Sequence, residues 1–84
     1  MSTSPDIQRA DDEIVTLLSH WLTRTLGNDE LRKRIEAIGT DELAPGQRHA
    51  VEELLAELRN ALPGERGDLE MIVRETLEAL AYGE

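Results

Sequence analysis

The chain has 84 residues, which is enough for one small domain, and 39% of them are hydrophobic, with one Trp, one Tyr and no Phe. Its 18 acidic and 9 basic side chains give a net charge of −9. This charge argues against nucleic acid and against an anionic membrane surface as partners, because both require a positive face on the protein.

The absence of cysteine excludes disulfides, thiol nucleophiles and zinc–thiolate sites. No apolar run approaches the roughly 18–20 residues that span a bilayer. The first ten residues are polar and contain no signal-peptide core. We therefore expect a cytoplasmic protein that binds neither membrane nor nucleic acid.

The first predicted helix covers residues 5–26 and follows a disordered tail of residues 1–3. Ser4 and Pro5 are typical of a helix start, and Gly27 is expected to end the helix in a left-handed conformation. Apolar residues recur at steps of three and four and form a wide stripe: Ile7, Ala10, Ile14, Val15, Leu17, Leu18, Trp21, Leu22 and Leu26. A stripe of this width predicts contact with two neighbouring helices or burial at a subunit interface.

The second predicted helix is short and covers residues 29–38, with Asn28 as its N-cap and Gly39 at its end. Its apolar edge consists of Leu31, Ile35 and Ile38. The same helix carries the only basic cluster of the chain, Arg32, Lys33 and Arg34. This cluster is either balanced by nearby carboxylates, such as Glu30 at i,i+4 from Arg34, or forms half of a charged interface.

The third and fourth predicted helices cover residues 45–62 and 68–82. Pro45 starts the third helix and Pro63-Gly64 ends it; Asp68 caps the fourth helix and Gly83 closes it. The predicted buried faces are Val51, Leu54, Leu55, Leu58 and Leu62 in the third helix, and Leu69, Ile72, Val73, Thr76, Leu77 and Leu80 in the fourth. Leu43 is expected to point inward from the preceding connector.

Glycine and proline thus fall at the boundaries of periodic segments along the whole chain. This agreement predicts an all-α fold, a small four-helix domain with short loops, in which residues 1–84 form a single domain. The first helix is expected to be long, the second short, and the third and fourth of medium length.

Residues 26–31 read L-G-N-D-E-L. This segment resembles the L-G-x-D-S-L motif of acyl carrier proteins, which are also small, acidic and four-helical. The serine of that family carries the phosphopantetheine arm at the start of the second helix, and here Glu30 occupies its position and cannot carry the arm. A capped helix N-terminus accounts for the same residue types, because Asn, Asp and Glu are favoured there.

Metal sites have little support in the sequence. His49 with Glu52 or Glu53 offers two ligands on one helix face, whereas a metal site needs three or four ligands. Residues 41–52 match three positions of a calcium-binding loop, but Leu43 and Pro45 stand where ligand oxygens are required. We expect no bound metal.

Nucleophilic catalysis also has little support. Ser19 and His20 are adjacent on a helix, so their side chains point about 100° apart and cannot form a dyad. The glycines are isolated and form no phosphate-binding loop. We therefore expect a protein that is not an enzyme and that uses no cofactor.

These exclusions favour a non-enzymatic, acidic helical module for protein–protein interaction, an adaptor, regulator or inhibitor that binds another protein or a second copy of itself. Trp21 is either a core residue or an interface residue, since Trp is enriched at interface hot spots. Two alternatives stay open, a self-assembling homo-oligomeric structural protein and a carrier-like or small-ligand-binding bundle. The candidate interaction surface consists of Val15, Trp21, Leu22, Arg32, Lys33 and Arg34.

Overall fold

The computed structural model describes residues 9–62 and 64–83. This part of the chain forms four helices and no strand: α1 (Ala10–Leu22), α2 (Asn28–Ile38), α3 (Pro45–Asn60) and α4 (Gly67–Tyr82). The predicted all-α, four-helix fold is confirmed. The predicted tail, the predicted helix start at Ser4 and Pro5, and Pro63 lie outside the described residues. The described α1 begins at Ala10, because Arg9 before it is extended (φ −74°, ψ 153°), so the predicted helix 5–26 is not continuous through Arg9.

Each helix packs against two others, so the four helices form a closed ring. α1 contacts α2 and α4, and α3 contacts the same two helices. The connections span only residues 23–27, 39–44 and 61–66, which makes helices that follow each other in the chain antiparallel. The end of α1, the start of α2 and the connection 61–66 consequently meet at one end of the bundle.

The core is aliphatic and surrounds a single Trp. The periodic stripes predicted for the four helices supply most of it, and the connector residue Leu43 is buried as expected. Burial of one such side chain contributes roughly 1.5–3 kcal/mol to folding. The large buried apolar residues of the helices are Ile14, Leu18, Trp21, Leu31, Ile35, Val51, Leu54, Leu55, Leu58, Leu69, Val73 and Leu80.

The end of α1 differs from the prediction. The helix ends at Leu22, four residues earlier than expected, and two residues later Arg24 has a positive φ (67°) although it is not glycine. The hydroxyls of Thr23 and Thr25 donate to the His20 carbonyl at 3.0 and 2.9 Å. These two side chains therefore satisfy a carbonyl at the end of the helix, where a left-handed glycine cap was expected. Gly27 (φ −86°) is not a left-handed cap and instead directly precedes α2. With 13 residues α1 is shorter than α3 and α4, so the expected long first helix is wrong over the described residues.

The ends of the α3–α4 connection also differ from the prediction. α3 ends at Asn60 because Ala61 is already extended (φ −79°, ψ 144°). Leu62 therefore leaves the predicted buried stripe and is 69% exposed. α4 begins at Gly67, so Asp68 lies in its first turn rather than at its N-cap, where its charge still faces the positive helix end.

Gly39 occupies a backbone conformation that strongly favours glycine (φ 82°, ψ 175°). We expect Gly39→Ala to lower the free energy of unfolding by about 1–3 kcal/mol because of backbone strain. Steric contact is not the cause, since a Cβ added there would meet no atom within 4 Å. Urea unfolding followed by circular dichroism measures the change.

Gly27→Ser is the matched control for this prediction. Its added Cβ also meets open space, its φ is ordinary, and serine is favoured immediately before a helix. We expect no loss of stability in this variant. Equal losses at both positions would contradict the assignment of the cost at Gly39 to its backbone conformation.

Candidate interaction surface

Trp21 is a core residue and does not belong to an interaction surface. Its side chain is 0% exposed, because both neighbours of α1 in the ring cover the apolar stripe. The indole Nε1–H donates to Asn28 Oδ1 at 2.7 Å. The guanidinium of Arg66 lies over the ring, with 4.3 Å between Cζ and the ring centroid. The predicted candidate surface is therefore wrong in including Trp21.

Asn28 links Trp21 to the α3–α4 connection. Its amide Nδ2 donates to the carbonyls of Leu62 and Glu65 at 3.3 and 2.8 Å. Arg66 reinforces the same link by donating to the carbonyl of Trp21 at 2.6 Å and to that of Leu26 at 3.0 Å. Asn28 is thus the first residue of α2 and a buried cross-link, rather than the N-cap that was predicted.

Val15 and Leu22, the other apolar members of the predicted surface, are half-buried and pack against the core. α1 touches both α2 and α4, which accounts for the width of its stripe. Of the two explanations for that width, contact with two neighbouring helices in the same chain applies to these residues.

The basic cluster of α2 is paired with carboxylates of the same helix. Arg32 lies 2.8 Å from Asp29 and 3.0 Å from Glu36, and Lys33 lies 3.2 Å from Asp29. Arg34 forms the expected pair with the carboxylate one turn earlier, at 3.0 Å. The hydrogen bond from Arg32, followed by that from Lys33, lowers the pKa of Asp29 below its ordinary value of 3.8. The cluster is balanced within α2 and does not form a free positive patch.

The segment that resembles the acyl carrier motif borders an open groove of about 700 Å³ between the start of α2 and the end of α3. Glu30 is exposed there and accepts a hydrogen bond from Arg34 at 3.0 Å. The groove is also lined by Asp29, Arg32 and Arg59. These charged walls at the surface differ from the mostly apolar, enclosing pockets that are typical of small-ligand sites.

The outer side of α4 exposes large apolar side chains. Met71 and Tyr82 are 64% and 78% exposed, and with Glu75 and Glu78 they follow a 4-3-4 spacing. This spacing places the four residues on one line, opposite the side of α4 that faces the core. We call Met71, Glu75, Glu78 and Tyr82 the α4 outer stripe; at 1.5 Å per residue it is about 16 Å long.

The charges of α4 are not neutralised within the described part of the chain. The helix carries Asp68, Glu70, Glu75 and Glu78 against Arg74, and no ion pair between described residues involves any of them. Most bases of the chain are instead paired on α2 and α3 or, like Arg66, held against Trp21. The α4 outer stripe therefore combines exposed apolar surface with two carboxylates that pair with no described residue.

Helical spacing in the sequence predicted the buried side of α4, and no prediction covered the opposite side. The sequence contained this information, because Met71 and Tyr82 are large apolar residues that do not lie on the predicted buried side of α4. Their common line with two glutamates follows from the helical period alone.

Comparison with protein-family models, with curated proteins and with solved structures found no match to this chain. None of the described helices is long and apolar enough to cross a bilayer. Within residues 9–62 and 64–83, no group of three or more His, Asp or Glu side chains is placed to hold a metal ion.

Proposed function

We propose that this chain is a non-enzymatic protein-binding module that holds its partner on the α4 outer stripe. The observation that carries the proposal is the exposure of Met71 and Tyr82 on one line of a helix whose other side forms the core. A single exposed apolar side chain is ordinary on a protein surface. Two large exposed apolar side chains on one line of a helix are less common, and Met and Tyr are enriched at the centres of protein interfaces.

The way α4 is anchored also supports this role. At its start, Arg66 is bound to the carbonyls of Trp21 and Leu26. Near its end, the buried side chain of Gln47 donates to the Leu80 carbonyl at 3.0 Å. A helix held at both ends loses little conformational freedom when a partner binds, so more of the interaction energy appears as affinity.

We expect the double substitution Met71→Gln/Tyr82→Gln to weaken partner binding at least tenfold without unfolding the domain. Both side chains are exposed and Gln is a good helix former, so stability should change by less than about 0.5 kcal/mol per site. The measurement is quantitative mass spectrometry of proteins retained from native lysate by the immobilised chain.

Leu62→Gln is the control, because Leu62 is 69% exposed but lies outside the α4 outer stripe. Proteins that bind the stripe should be retained by the wild type and by Leu62→Gln, and lost with the double variant. Retention of the same proteins by all three forms would contradict the proposed function.

A further inference from the structure

We infer that the partner offers the α4 outer stripe a basic amphipathic helix, with two Lys or Arg residues between two apolar residues. This inference rests on the proposed function and specifies the chemistry of the partner. It follows from the order of side chains along the stripe, which is apolar, acidic, acidic, apolar.

The spacing of the stripe suits a helix laid along it. The steps from Met71 to Glu75, from Glu75 to Glu78 and from Glu78 to Tyr82 correspond to rises of about 6, 4.5 and 6 Å. A partner helix presents side chains at the same intervals of three and four residues. Its contact residues therefore have to match the stripe position by position.

The negative charges of Glu75 and Glu78 determine which residue types the partner must carry at its two central positions. Covering Met71 and Tyr82 also removes water from Glu75 and Glu78, which lie between them and pair with no other described residue. A carboxylate that loses water without gaining a partner is strongly unfavourable. Lys or Arg at the two central positions supplies that partner and also accelerates encounter with an acidic protein.

A second copy of this chain does not meet the requirement. In a symmetric antiparallel pairing of two stripes, Met71 would face Tyr82 of the other copy, but Glu75 would face Glu78. A parallel pairing would set each glutamate against its own counterpart, and like charges repel in both cases. The basic cluster of α2 cannot substitute, since Arg32, Lys33 and Arg34 are already paired with carboxylates of their own helix.

Two hydrocarbon-stapled, fluorescein-labelled peptides of identical composition test the inference. In the aligned peptide, Leu, Lys, Arg and Leu stand at positions i, i+4, i+7 and i+11; in the redistributed peptide, the two bases move to the opposite helix face. Fluorescence anisotropy at 50 and 150 mM NaCl measures the binding of each peptide. The proteins compared are the wild type, Met71→Gln/Tyr82→Gln, Glu75→Gln/Glu78→Gln and the control Asp41→Asn/Glu42→Gln.

The control removes the same charge from two exposed residues of the connection 39–44, which are not part of the stripe. We expect the aligned peptide to bind the wild type and the control equally. Binding should be at least tenfold weaker to Glu75→Gln/Glu78→Gln, weaker for the redistributed peptide, and weaker at the higher salt concentration.

The other outcomes overturn the inference in distinguishable ways. Binding that depends on Met71 and Tyr82 but not on Glu75 and Glu78 rejects the basic partner and leaves the proposed function standing. Equal binding of the two peptides, equal loss in the control, or no binding of either peptide rejects the basic helix, and the lysate experiment then decides the proposed function independently. A concentration-dependent doubling of mass in light scattering that disappears in Met71→Gln/Tyr82→Gln would show a second copy to be the occupant.

Discussion

Replacement of Trp21 by alanine is expected to lower the free energy of unfolding by about 3–5 kcal/mol, the largest loss for any single substitution considered for this domain. The side chain is fully buried, so its removal leaves a cavity that the surrounding helices can fill only in part. The substitution also removes the donor to Asn28 and the ring beneath Arg66. Single domains have total stabilities of about 5–15 kcal/mol, so Trp21→Ala should remove a large part of the stability of this domain.

Circular dichroism at 222 nm during urea unfolding is the appropriate measurement, since the variant contains no Trp for fluorescence. The matched control is Tyr82→Ala, because Tyr82 is the other aromatic residue of the chain and is 78% exposed. Its stability should change by less than about 0.5 kcal/mol. Comparable losses in the two variants would contradict the placement of Trp21 in the core and of Tyr82 on the surface.

The number of helices and most of the core could be predicted because both follow from the spacing of apolar residues along the chain. Residues such as Ile14, Leu54 and Val73 recur at helical spacing, and all three are fully buried. Glycine and proline separate these segments, so α2 ends before Gly39 and α3 begins at Pro45, as expected. Short loops and apolar stripes leave few arrangements other than a four-helix bundle.

The prediction failed at helix ends, where side-chain hydrogen bonds and local backbone conformation, rather than glycine and periodicity, set the boundary. α1 ends early where two threonine hydroxyls cap His20 and where Arg66, more than forty residues away, binds the Trp21 carbonyl. The helical period also continues through Leu62, but Ala61 is extended and the stripe stops. Rules based on glycine and on periodicity contain no information about such partners.

In the candidate site, too, some features could be predicted from the sequence and others could not. Helical spacing predicted two alternatives for the basic cluster, balance by nearby carboxylates or a charged interface, and its pairs with Asp29 and Glu36 agree with the first. Trp21 could be assigned to the core or to an interface until its neighbours were known. The outer side of α4 is predictable from the sequence, because the common line of two apolar residues and two glutamates follows once the buried side of the helix is identified.

Asn28 gives a second large effect, which is electrostatic rather than steric. Asn28→Ala is expected to lower the free energy of unfolding by about 2–3 kcal/mol, because Trp21 Nε1–H loses its acceptor and two carbonyls of the α3–α4 connection lose a donor. The measurement is again urea unfolding by circular dichroism. The control is Asn60→Ala, since Asn60 is exposed and donates only to the backbone of its own helix. A loss at Asn28 no larger than that at Asn60 would show that the buried network adds nothing to stability.

Asn28→Asp tests the two roles of Asn28 separately, as acceptor from Trp21 and as donor to the α3–α4 connection. The introduced carboxylate retains an acceptor for Trp21, but its second oxygen faces the carbonyls of Leu62 and Glu65, where the amide was a donor. At pH 7 this variant should be at least as destabilised as Asn28→Ala, because a buried charge then faces two acceptors. Burial and those acceptors raise the pKa of the introduced carboxyl in the folded state and are expected to outweigh the positive end of α2 and the Trp21 donor, which lower it, so the folded state binds the proton more tightly than the unfolded chain. Stability relative to the wild type should therefore rise as the pH falls from 7 to 5, when the protonated carboxyl can donate to one carbonyl. A deficit that stays constant over this range would mean that the amide donors of Asn28 do not hold the connection that leads into α4.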